Sequence, residues 1–155
     1  MAGTGEAQEL PSREERDTTR HRDKVNIRSL DGHAAAPDRV IAGVEVGGVH
    51  VGDDRGTTWI ENGTACRTAC ITCSCVARGE HVVSCGDGLY RATDAGRSWT
   101  RPDGELSHRY FREALLDEGR LYAAARSPPG TWQGESGADG AMFVSDDRGD
   151  SFGGQ

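Results

Sequence analysis

"GDDRGTTWIE" (52–61) is a polar turn running into a tryptophan, and its reading decides the fold. Two relatives follow it, "ATDAGRSWTR" (92–101) and "SDDRGDSFGG" (145–154). Set in register, the three share an acid at Asp54, Asp94 and Asp147. A glycine stands two residues later at Gly56, Gly96 and Gly149, and an aromatic five later at Trp59, Trp99 and Phe152. The acids are 40 and then 53 residues apart. A local motif returning every 40–50 residues or so marks propeller blades or solenoids.

The intervening sequence favours blades. Two β-rich runs precede each turn: "DRVIAGVEV" and "GGVHVGDD", "EHVVSCGD" and "GLYRATD", "GRLYAAARS" and "AMFVSDD". Each alternates or is rich in β-branched and aromatic residues, with glycine between the runs. A short run such as "TTWIE" follows the turn, and another precedes the pair, as "KVNIRSL" (24–30) and "YFREALL" (110–116). Four strands in about 40 residues is a propeller blade. The turn then joins the third strand to the fourth. Its aspartate caps local backbone N–H groups as Asx turns do, its glycine takes the left-handed conformation, and its aromatic ring enters the space between blades. Asp53 and Asp54 are adjacent, whereas a Ca²⁺ loop needs alternating oxygens and a bidentate glutamate. The turn therefore reads as scaffolding.

Composition agrees. With 22 glycines and only 35% hydrophobic residues in 155, the chain suits short strands and many turns better than a helical bundle. The net charge is −7, which argues against nucleic acid and anionic membranes as partners. Seventeen of the 18 basic residues are arginine, Lys24 being the exception, a bias expected of a GC-rich genome. Residues 1–24 are polar and lack the apolar core of a signal peptide. No apolar run approaches the roughly 20 residues of a membrane helix. A cytoplasmic protein is expected.

The pattern Ser/Thr-x-Asp-x-Gly-x-Ser/Thr-Trp/Phe resembles the Asp-box (BNR) repeat of sialidases, sortilin-like proteins and photosystem-assembly-factor-like propellers. "SDDRGDSF" matches every position, while Ala92 and Gly52 replace the first Ser/Thr in the other two. The stretches "ELPSREE", "RHRDK", "VIAGVEVGGVHV", "GLYRATDAGRSWTR", "HRYFREA" and "ARSPPGTWQGESGAD" are similar to haloarchaeal Asp-box propeller proteins of the WD40/YVTN/BNR-like kind, and the chain resembles an internal portion of about three blades. The resemblance implies that the boxes lie on the face away from the functional site. It does not choose between enzyme and non-enzyme, since the box occurs in both.

"TACRTACITCSC" gathers Cys66, Cys70, Cys73 and Cys75, with Cys85 beyond. The spacing admits zinc or an iron–sulfur cluster, with those four as ligands. A disulfide is not expected in a cytosolic chain. The segment falls where the second blade needs its inner strand and alternates poorly for that role. Its codons, read one base out of frame, permit "GVPDGVHHLLV", a turn and a strand. A local frameshift, loosely packed thiols and a metal site are the three readings.

The expected architecture is all-β, a partial β-propeller of about three four-stranded Asp-box blades. Residues 1–23 are a polar linker or the remnant of a preceding blade, 24–63 the first blade and 64–104 the second. Residues 105–155 form a third, truncated blade with a long inserted loop at 127–140. In a propeller the binding loops join strands two to three and four to one, here "VEVGG", "SCGDG", "PDGELSHRYFRE" and "RSPPGTWQGESGADG". They supply candidate ligand-binding residues His108, Arg109, Tyr110, Arg126, Trp132 and Asp139. Glu45 and Glu135 are candidate catalytic acids. A sialidase needs three arginines and a Tyr–Glu pair; Arg109, Arg112 and Arg126 are present, but the Arg-Ile-Pro motif is not. His50, within "VHV", reads as a strand residue, and His108 as the sole histidine of a candidate loop, which by itself makes no triad. The expected function is a non-catalytic binding or scaffold module for an unknown protein or carbohydrate, without cofactor, self-associating through open blade edges. The alternatives are a sialidase-type glycoside hydrolase and a thiol–metal module.

Overall fold

The computed structural model describes residues 26–45, 47–62, 70–77, 79–102, 106–131, 134 and 137–154. The expected linker at 1–23, Cys66, Trp132 and Glu135 lie outside them. Among the described residues eleven strands form three antiparallel sheets, and within each sheet every strand after the first pairs with its predecessor in the chain. Sheet 1 holds β1 (Ile27–His33), β2 (Ala36–Val44), β3 (Gly48–Gly52) and β4 (Ile60–Asn62). Sheet 2 holds β5 (Cys70–Ala77), β6 (Glu80–Cys85) and β7 (Gly88–Ala92). Sheet 3 holds β8 (Tyr110–Asp117), β9 (Arg120–Arg126), β10 (Gly140–Ser145) and β11 (Gly153–Gly154).

Sheet 2 departs from the expected four strands. Its fourth is a single bridge, in which Arg91 N donates to Thr100 O at 2.9 Å and Thr100 N to Arg91 O at 2.8 Å. The next pair of ladder bonds would fall two residues on, at Pro102, which has no N–H to donate. The ladder stops there.

The sheets stack face to face. Ile41, Val49 and Val51 of sheet 1 pack on Cys73, Val83, Cys85 and Tyr90 of sheet 2, with Trp99 against them. Val82 and Leu89 on the other face of sheet 2 meet Phe111, Leu121, Ala123 and Phe143 of sheet 3, with Phe152 alongside. Sheet 2 is thus covered on both sides, and all six residues of β6 are buried. First strands touch first strands: β1 packs on β5 and β5 on β8. Ser29 accepts from Cys73 N at 3.0 Å, and Thr72 Oγ1 donates to Arg112 O at 3.1 Å. This is the side-by-side packing of blades.

Residues Cys70–Cys75 of the cysteine-rich stretch lie in β5, which pairs along its length with β6. Poor alternation did not prevent it, because cysteine behaves in a core as a small hydrophobe; Cys73 is a thiol only 4% exposed between sheets 1 and 2. Its packing is close, not loose. Cys85 is disulfide-bonded, contrary to the expectation of no disulfide. No group of three or more metal-ligating side chains occurs among the described residues.

The three repeated turns are built alike. Asp54 accepts from Thr58 N at 2.8 Å and Thr58 Oγ1 at 2.7 Å. Asp94 accepts from Ser98 N at 2.9 Å and Ser98 Oγ at 2.6 Å, and Asp147 from Ser151 N at 2.8 Å and Ser151 Oγ at 2.6 Å. These bonds hold the carboxyls below their ordinary range, chiefly through the Thr58 N–H at Asp54 and the Ser98 hydroxyl at Asp94. At Asp147 the chief cause is the Ser145 hydroxyl. Ser145 occupies the position where Gly52 and Ala92 stand in the other turns. It donates to Asp147 at 2.6 Å and accepts from Gly149 N at 2.6 Å. Each turn also places two successive residues in the left-handed region: Arg55 and Gly56, Ala95 and Gly96, Arg148 and Gly149. At Gly149 a Cβ would meet Leu121 Cδ2 at 2.8 Å, so glycine is needed there for space as well as for φ.

His81 sits in β6 at the turn end of the interface between sheets 1 and 2, 1% exposed, and neither ring nitrogen has a hydrogen-bond partner. Burial pushes its pKa below the ordinary 6.5; Arg39 adds to this, while Asp31, Asp53 and Asp94 oppose it. The folded value lies below the unfolded one. The neutral ring's contribution is therefore full above about pH 6.5 and declines as pH falls, by at most about 1.4 kcal/mol per pH unit. Urea midpoints from pH 7.5 to 5 should decline in the native chain, and His81→Leu should remove most of that slope.

Candidate functional site

The hairpin order divides the molecule into two ends. The β1–β2, β8–β9 and Asp-turn connections lie at one end. The β2–β3, β6–β7 and β9–β10 connections lie at the other, with the chain entering each first strand there.

The turn end is occupied by its own ion pairs. Arg39 Nε meets Asp53 at 2.5 Å, Arg55 Nε meets Asp38 at 2.6 Å and Arg120 Nε meets Asp146 at 2.5 Å. Arg91 joins Glu80 at 2.8 Å and also Asp150 across the gap to sheet 3. A polar cleft of about 750 Å³ lies here, lined by Arg91, Arg120, Tyr122, Asp146, Arg148 and Asp150 among others. Its basic groups face carboxylates already in place, and the site residues expected from sequence are elsewhere.

The opposite end collects them in three groups. On sheet 1, Glu45 accepts from Asn26 Nδ2 at 2.7 Å, its N–H donates to Asn26 O at 2.9 Å, and Arg28 lies 4.0 Å away. Glu45 thus ties the β2–β3 turn to the entry of β1. On sheet 2, Tyr90 Oη donates to Asp87 at 3.0 Å, and the Arg101 guanidinium lies 5.3 Å from the Tyr90 ring centre.

Sheet 3 is the richest. Tyr110 opens β8 opposite Arg126, the last residue of β9, and Gly140 opens β10 opposite the same arginine. The guanidinium of Arg126 lies 5.4 Å and that of Arg112 6.0 Å from the Tyr110 ring centre. Both distances are within cation–π range. Asp139, just before β10, accepts from Ser127 N through its carbonyl at 3.1 Å, closing the base of the long loop. Its carboxylate lies 3.1 Å from His108 Nε2, while His108 Nδ1 lies 2.8 Å from Ser107 Oγ. The His108 ring packs on Phe143, centroids 6.3 Å apart, and is held from below by that contact. His108 is thus paired with Asp139 and Tyr110 with Arg126, two pairs at the same end of sheet 3, with Arg109 exposed beside them. Glu45 belongs to a different sheet. Sequence reasoning overlooked Ser107, the neighbour of His108, and Tyr90, whose hydroxyl reaches Asp87. Neither carries a motif signal, because each acts through a loop closed by the fold.

No protein-family model and no curated protein matches the chain. Solved structures do. An ancestral GH74 enzyme aligns with TM-score 0.66 and 15% identity, over 82% of this chain and 18% of that one. The GH74 xyloglucanase from Xanthomonas campestris aligns with TM-score 0.61 and 18% identity, over 81% of this chain and 21% of that one. YCF48 from Cyanidioschyzon merolae aligns with TM-score 0.59 and 17% identity, over 94% of this chain and 38% of that one. The chain spans about a fifth to two-fifths of the length of these propeller proteins. At such identities the likeness is one of fold: this chain is all-β and forms a partial β-propeller.

Proposed function

We propose that the chain is a β-propeller binding or scaffold module whose ligand, a protein segment or a carbohydrate, docks on the end opposite the repeated turns. The observation that carries this reading is that the His108–Asp139 and Tyr110–Arg126 pairs both lie at that end of sheet 3, beside the long β9–β10 loop. The turn end, by contrast, is committed to its own ion pairs and aspartate-centred bonds. Loops presented by a rigid sheet are where binding concentrates. An aromatic ring flanked by guanidinium groups offers apolar area and charge-assisted donors together. The three turns are read here as Asp-boxes of the BNR kind, which supports assigning them a structural part.

The test is to screen the full chain against a glycan microarray and a peptide array, then to measure the hits by calorimetry. Tyr110→Ala should weaken a genuine hit about tenfold or more, equivalent to ~1.4 kcal/mol. Arg120→Ala, at the other end, should leave it unchanged. The reverse pattern would move the binding site to the turn end and overturn the reading.

A further inference from the structure

We propose that Ser107, His108 and Asp139 form a nucleophile, a general base and its positioning carboxylate, able to take an acyl group from a small ester. This goes beyond the binding role and does not depend on it. Two segments 31 residues apart bring the three groups into line: Ser107 Oγ to His108 Nδ1 at 2.8 Å, and His108 Nε2 to Asp139 Oδ2 at 3.1 Å. A carboxylate can only accept, so Nε2 carries the proton and Nδ1 keeps its lone pair for the Ser107 hydroxyl. The ring is fixed in that orientation. Its side chain is 17% exposed, packed on Phe143, and Phe143 in turn packs on Phe111. Asp139 is steadied by the Ser127 N–H at its carbonyl. Ser107 is exposed, so an ester can reach its hydroxyl.

The geometry meets the requirement for an activated serine, with nucleophile and base in hydrogen-bond contact and the base oriented by a third group. The ring nitrogens are used in the reverse order to that of the serine proteases. Either nitrogen serves as base when the other is held protonated. Ser107 Oγ would attack the ester carbonyl carbon as its proton passes to Nδ1. Collapse of the tetrahedral adduct expels the alkoxide, which takes the proton from Nδ1 and leaves as the alcohol. The product is O-acyl-Ser107, and water attacking with the same base releases the acid and restores the serine.

The test uses the full chain with p-nitrophenyl acetate. A burst of p-nitrophenolate is expected, with an acetyl group on Ser107 located by peptide mass spectrometry. Ser107→Ala should abolish both. His108→Gln should slow acylation about a hundredfold or more, the usual contribution of a general base. Asp139→Asn should slow acylation too, because an amide can donate to Nε2 and leave Nδ1 protonated; Asp139→Glu should restore much of the rate. Far-UV circular dichroism checks that each variant keeps its sheets. Absence of acetyl-Ser107 in the native chain, or acylation there at an undiminished rate in His108→Gln, would overturn the proposal.

Discussion

Phe111→Ala should destabilise the chain by about 3–5 kcal/mol, seen as a large fall in the urea midpoint. Phe111 is fully buried in β8, where its ring meets Val82 and Leu89 of sheet 2 and lies 6.3 Å from the Phe143 ring. Truncation removes apolar burial and leaves a cavity between two sheets that cannot close without moving one of them. A small domain has only about 5–15 kcal/mol in total, so the loss approaches global unfolding. Phe111→Leu should cost less, because it retains much of the volume. Leu115, four residues on in the same strand, is 59% exposed, and Leu115→Ala should change stability by no more than about 0.5 kcal/mol. A similar cost at both positions would mean that sheet 3 does not pack on sheet 2 as described.

Arg91→Ala should cost about 3 kcal/mol, for an electrostatic reason. Glu80 is buried at the turn end of β6 and accepts from Arg91 Nη2 at 2.8 Å and Arg91 Nε at 3.1 Å. Arg148 Nη1 lies 3.6 Å from its other oxygen. Removing Arg91 leaves a desolvated carboxylate with the longer Arg148 contact, and it also breaks the link from sheet 2 to Asp150 of sheet 3. The double variant Arg91→Met with Glu80→Gln should recover most of the loss, since it removes the charge together with its partner. If the double variant is as unstable as Arg91→Ala alone, the arginine's packing and not its charge is what the interface needs.

The parts of this molecule that were legible in its sequence are those set by near neighbours in the chain. Asp54, Asp94 and Asp147 bond to residues four positions on, so a ten-residue pattern carries the whole turn. The strands before each turn are visible because alternation is a local property. The end of the fourth strand in sheet 2 could have been read from Pro102. Two things could not. β5 hid behind cysteines whose burial depends on what covers them, and sheet 1 supplies that cover. The cluster at the candidate site was visible as a list of loop residues but not as an arrangement. His108 meets Asp139 only because β8 and β10 flank β9 in one sheet. The pairing of consecutive left-handed residues in each turn was also half seen, with glycine expected and the arginine or alanine before it not.

That hydrogen-bonded strands within each sheet are consecutive in the chain also orders events in time. At about 5–20 residues per second, a 40-residue sheet takes roughly 2–8 s to leave the ribosome. A hairpin forms in about 1–10 μs. Each sheet can therefore finish its hydrogen bonding before the next is synthesised, with no strand waiting for a distant partner. What must wait is burial. The Val82 and Leu89 face of sheet 2 stays open to solvent until Phe111 arrives, and that interval is when a nascent chain is most exposed to aggregation.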